Sequence, residues 1–83
     1  MSALELYAKQ TINTKGIIHL HAIDSLRRYM NLESDEHLIM YLNTITDIDI
    51  LKAIQEAGAR KAIYTALISR MNMLMKEQQE AKK

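Results

Sequence analysis

Apolar residues recur along this chain at spacings of three and four, the period that lines up one face of an α-helix. Leu4, Tyr7, Ala8, Thr11 and Ile12 follow it, and Ser2 with Glu5 ahead of them has the form of a capping box, in which each side chain can satisfy a backbone N–H left open at a helix start. The pattern predicts a first helix over residues 3–13. Thr14, Lys15 and Gly16 interrupt it, Gly16 through its backbone freedom and Thr14 as a candidate cap for the next segment. Over residues 17–31, Ile18, Ala22, Ile23, Leu26, Tyr29 and Met30 predict a second helix, with Asp24, Arg27 and Arg28 mostly outside its apolar face. Its beginning also reads as period two, since Ile18, Leu20 and Ala22 alternate with His19 and His21, but a lone strand would have no partner in this chain.

Ser34 followed by Asp35 and Glu36 marks a third helix over 35–44, with a hydroxyl cap and two carboxylates where the helix dipole favours them. Leu38, Ile39, Tyr41, Leu42 and Ile45 supply its buried face. Thr46 with Asp49 repeats the capping signal more weakly and opens a fourth helix over 47–57, carrying Ile50, Leu51, Ile54 and Ala57 and ending at Gly58. The fifth and longest helix, 60–78, has Ile63, Ala66, Leu67, Met71 and Leu74 at helical spacing, and its tail, 77–83, is expected to fray or project into solvent. The expected fold is a single all-α domain, a compact orthogonal bundle of about five short helices with a longer C-terminal one. Its core should include Leu6 or Tyr7, Ile18, Ile23, Leu26, Leu38, Leu42, Leu51, Ile54, Ile63, Leu67 and Met71.

Composition narrows the class. A chain of 83 residues that is 48% hydrophobic, with two glycines, no proline and no cysteine, is neither a disulfide-stapled scaffold nor a cysteine-based zinc module, and it is too apolar for a disordered tail. His19, His21, Asp24 and later charges interrupt every apolar run short of the 18 or so residues a membrane helix needs. The first residues carry no basic leader followed by an apolar stretch, so the expected location is the cytoplasm, with no membrane association.

The net charge of +1 conceals a sequence dipole. Glu33, Asp35, Glu36, Asp47 and Asp49 lie in a stretch without Lys or Arg, whereas Arg60, Lys61, Arg70 and Lys76 lie in a stretch without acid. Four of the five carboxylates fall in predicted first turns, where they complement the helix dipole, which leaves only Glu33 without such a role. Arg60 and Lys61 fall where positive charge opposes the dipole of a new helix. Either they compensate the C-terminal end of the preceding helix, or they point outward to an anionic partner.

A helix, a glycine turn and a basic second helix is also the outline of a helix-turn-helix DNA reader, with Arg60, Lys61, Tyr64, Thr65 and Arg70 available to phosphates or base edges. The residues after the turn glycine fit that motif imperfectly, since Ala59, Arg60 and Tyr64 stand where it takes an apolar residue, a polar cap and a branched apolar residue. His19 and His21 diverge by about 200° on a helix and cannot share an ion, and His21 with Asp24 has no third ligand set by spacing, so no metal is expected. There is no cysteine nucleophile, no glycine-rich phosphate loop and no spacing that suggests a Ser, His and acid arrangement, so neither a cofactor nor enzymatic chemistry is expected.

Met73 and Met75 fall on different faces of the last helix and cannot both be buried by one flank, which makes that end a candidate for self-association or partner binding. The sequence therefore points to a small non-enzymatic adaptor or regulator that binds another protein through helix faces, with Arg60, Lys61, Tyr64, Arg70, Met73 and Met75 as contact residues and a homodimer through the last helix as one arrangement. The alternative is a small DNA-binding regulator using the helix 60–75.

Overall fold

Five helices form in the order expected, α1 Ala3–Ile12, α2 Gly16–Leu32, α3 Asp35–Leu42, α4 Ile48–Ala57 and α5 Lys61–Ala81, in a computed structural model that describes residues 2–81 and side chains to residue 79. No strand is present among the described residues, so the chain is an all-α bundle. Local chemistry accounts for most of the boundaries. The Ser2 hydroxyl accepts from the Glu5 amide and the Ser34 hydroxyl from the His37 amide, each at 3.3 Å, satisfying N–H groups that no helical turn precedes. Gly58 closes α4 at φ +88°, a backbone angle that side chains with a Cβ resist.

Two caps differ from the expected ones. The Thr14 hydroxyl turns backward and donates to the Gln10 and Thr11 carbonyls, closing α1 rather than opening α2, whose first residue is Gly16 at φ +65°. Asp47, not Thr46, caps α4, its Oδ1 accepting from the Asp49 amide at 2.9 Å. A carboxylate does this better because it also complements the dipole. α3 stops at Leu42, two residues early, where the chain tightens so that the Thr44 and Ile45 amides bond carbonyls three residues back and Ile45 is buried from the loop. α5 runs three residues beyond its expected end, to Ala81; the last two residues of the expected frayed tail lie outside the described residues.

The core draws on every helix: Leu4 and Ala8 from α1, Leu26 and Met30 from α2, Leu38 and Leu42 from α3, and Ile63, Leu67, Met71 and Leu74 from α5. α4 sits among them, packing against α1, α2 and α5, and buries five of its ten residues. Of the expected core positions, Ile18 is exposed, Ile23 is half-buried against the cluster, and of the pair Leu6 or Tyr7 it is Tyr7 that packs. Leu6 is 51% exposed and its neighbour Tyr7 packs inward instead, against Tyr29 of α2 with ring centroids 5.0 Å apart. Ile18 is 67% exposed. The row Ile18, Ala22, Leu26, Met30 drifts about 40° per step around a helix of 3.6 residues per turn, so a core centred on Leu26 leaves Ile18 about 80° off its axis.

Candidate functional site

The basic residues that stood out in the sequence separate into two groups once their partners are known. Arg60, in the turn before α5, aims its guanidinium at the junction of α2 and α3. Nη1 donates to the Met30 carbonyl at 2.6 Å, Nη2 to the Glu33 carbonyl at 3.1 Å, and Nε and Nη2 both to Asp35 Oδ1, at 3.0 and 2.6 Å. It satisfies carbonyls left open at the end of α2 and pairs with a carboxylate in the first turn of α3. Arg70 Nε donates to the Ile45 carbonyl at 3.0 Å, tying α5 to the loop before α4. The end of α4 is served by a third arginine, Arg27, whose Nε donates to the Ala57 carbonyl at 2.8 Å. Arg60 thus compensates the C-terminal end of a helix, but that of α2 rather than that of the helix preceding it.

Lys61, Tyr64, Met73 and Met75 remain exposed on α5. Met73 and Met75 are 44% and 40% exposed and lie about 200° apart around the helix, so they serve different surfaces. Met75 borders an open depression of about 600 Å³ together with Thr46, Asp47, Ile48, Lys52 and Gln78. Across Asp49 and Lys52, which border both, a second depression of about 310 Å³ reaches Ile12, His19 and Glu56. The outer ridge of α4 is therefore flanked by two hollows that share Asp49 and Lys52, bordered by the carboxylates of Asp47, Asp49 and Glu56 and a single lysine. Tyr64 lies further along the α4–α5 boundary, its hydroxyl accepting from Gln55 Nε2 at 3.4 Å. Ile48 and Lys52 were not singled out by sequence; the available signal was that Ile48 falls outside the apolar stripe of α4.

Glu33, the one carboxylate of the acidic stretch 33–49 without a first-turn or capping role, is placed by two hydrogen bonds. His37 Nδ1 lies 2.9 Å from Oε1, and the Ser34 amide donates to the same oxygen at 3.1 Å. The hydrogen bond to His37, then that from Ser34, hold its carboxyl below the usual range. The Tyr29 phenol is pushed up, first by burial and then by the nearby Glu33 charge. His19 is drawn to the end of α1, its Nδ1 2.8 Å from the Thr11 carbonyl, and away from His21. Among the described residues, no three His, Asp or Glu side chains converge as a metal site would require. No helix among the described residues is long and apolar enough to cross a membrane. Comparison with protein-family models, curated proteins and solved structures finds no match to this chain.

Proposed function

We propose that this chain is a non-enzymatic adaptor or regulatory protein that binds a protein partner through helix faces, with the hollow between the start of α4 and the distal part of α5 as the contact surface. The observation that carries this reading is the juxtaposition of Ile48 and Met75 around Lys52, with Asp47 and Asp49 on the rim. Apolar side chains edged by carboxylates suit an amphipathic segment with one apolar anchor and a basic residue beside it. Met75 keeps its place in the proposed surface, whereas Lys61 and Tyr64, exposed nearer the start of α5, and Met73, on another face, lie outside that hollow. Arg60 and Arg70 leave it, because their donors serve backbone carbonyls within the bundle.

The alternative of a DNA reader loses most by that change. Of the residues proposed for phosphates and base edges, Lys61, Tyr64 and Thr65 stay exposed on α5, and the acidic rim of α4 adjoins the same helix.

A photo-crosslinker at Met75, compared with one at the exposed Ser69, should capture a partner only at the first position. Binding of that purified partner should then weaken at least about tenfold in Met75→Glu and in Asp49→Lys, with helicity unchanged. Binding of duplex DNA that falls steeply with salt and is lost in Lys61→Glu would replace this reading with the alternative.

A further inference from the structure

α2 carries a second surface, which shares no residue with those hollows. Ile18, Ser25 and Leu32 are spaced seven apart, so a helix brings them to nearly one line, drifting only about 20° per step. All three are exposed, Ile18 by 67% and Leu32 by 88%, the highest value for any large apolar side chain among the described residues. Ala22 and Tyr29 interleave with this line at spacings of four and three but turn toward the bundle, Ala22 buried and Tyr29 half-buried, so the free face is the line itself. α1 covers one side of it, with Tyr7 stacked on Tyr29 and Leu6 half exposed beyond. The outer line has no partner within the bundle.

From this pattern we infer that α2 pairs antiparallel with α2 of a second copy of the chain, about a two-fold axis through Ser25. The stripe is symmetric about that residue, seven positions from each apolar end, so the two-fold brings Ile18 of each copy to Leu32 of the other. The small Ser25 at the crossing lets the helix axes approach. Charge agrees with the same axis. Asp24 and Arg28 flank the line and form an ion pair of 3.0 Å within the chain. Antiparallel pairing centred on Ser25 sets each Arg28 about two residues, or roughly 3 Å along the helix, from Asp24 of the other copy, so opposite charges are brought across the contact. Such a dimer leaves the α4–α5 hollow free and presents it twice, which would raise avidity for a multivalent partner. The pairing stands or falls independently of what that hollow binds.

Because the chain has no cysteine, Ser25→Cys introduces a single thiol at the proposed axis, where two Cα atoms can come within the 4.4–6.8 Å that a disulfide spans. Mild oxidation should convert this full-length variant to a covalent dimer at least about tenfold faster than Ser69→Cys, whose thiol sits on the outer face of α5. Sedimentation of the unmodified chain should show the 9.6 kDa monomer giving way to a dimer as concentration rises. Ile18→Glu with Leu32→Glu should return it to monomer without loss of helicity, since both positions are solvent-exposed. Asp24→Arg should weaken the dimer, and adding Arg28→Asp should restore it. A mass of 9.6 kDa at every concentration, equal crosslinking at positions 25 and 69, or a dimer indifferent to the Ile18 and Leu32 changes would each overturn the proposal.

Discussion

Arg60 and Asp35 lie 25 residues apart in sequence and 2.6 Å apart in space, and their contact joins the start of α5 to the start of α3. The same guanidinium holds the Met30 and Glu33 carbonyls, so one side chain fastens three helices. The partly buried carbonyl contacts outweigh the ion pair, because Asp35 is about half exposed and surface pairs contribute only about 0–1 kcal/mol. Arg60→Ala should therefore destabilise the chain by about 1–3 kcal/mol in urea unfolding, and Asp35→Ala by less than about 1 kcal/mol. Arg60→Lys should recover only part of the loss, since an ammonium cannot reproduce the planar fork. Equal losses for the arginine and aspartate variants would mean that the ion pair, not the carbonyl contacts, is the main fastening.

Burial separates side chains that the apolar pattern treated alike. Leu51 and Leu67 are fully buried, and truncating either to alanine should cost about 2–5 kcal/mol, enough to unfold much of a domain this small. Ile18→Ala, at a position 67% exposed, should change the stability of the monomer by less than about 0.5 kcal/mol. Thermal unfolding at low protein concentration distinguishes the two classes; a large loss at Ile18 would contradict its placement.

Stability at acid pH should carry the mark of Glu33. Its carboxyl is held below the ordinary value of 4.5 by His37 and Ser34, so the native state binds that proton less readily than the unfolded chain does. The stabilisation is present above the unfolded value and is lost as pH falls through the lowered folded one. The stability difference between the unmodified chain and Glu33→Gln should therefore shrink as pH drops below about 4.5. Tyr29 works in the opposite direction at alkaline pH. Its raised phenol stabilises the fold below the ordinary value of 10.0, and that contribution disappears as pH rises through the folded value. Spectrophotometric titration should find one tyrosine ionising late.

Gly58 and Gly16 both have positive φ, and open space surrounds the place where a Cβ would stand. Substitution by alanine is therefore penalised by backbone conformation rather than by collision. Gly58→Ala and Gly16→Ala should each cost about 1–2 kcal/mol, with helicity retained at low temperature. A neutral result at either site would show that the turn relaxes to a negative φ.

Helix number, order and most boundaries were legible in the sequence because their causes are local. Ser34 reaches an amide three residues on, Gly58 relieves its own backbone, and the leucines of α3 and α5 repeat at a period set by the helix itself. The core members Leu26, Leu38, Leu51 and Leu67 followed from that period. Ile18 did not, since a row of fourth residues winds around the helix and periodicity alone does not say where the neighbouring helices stop covering it. Arg60 was visible as a misplaced charge at a helix start, but its partners lie 25 to 30 residues away and belong to two other helices. That Ile48 and Met75 border one hollow is of the same kind. Hydrogen bonds and periodicities spanning a few residues are encoded where they occur, whereas the partner of a long side chain is chosen by how the helices pack. Sequence determined the five helices and their apolar faces; tertiary packing decided that three arginines fasten the bundle and that exposed apolar side chains lie along α2 and beside α4.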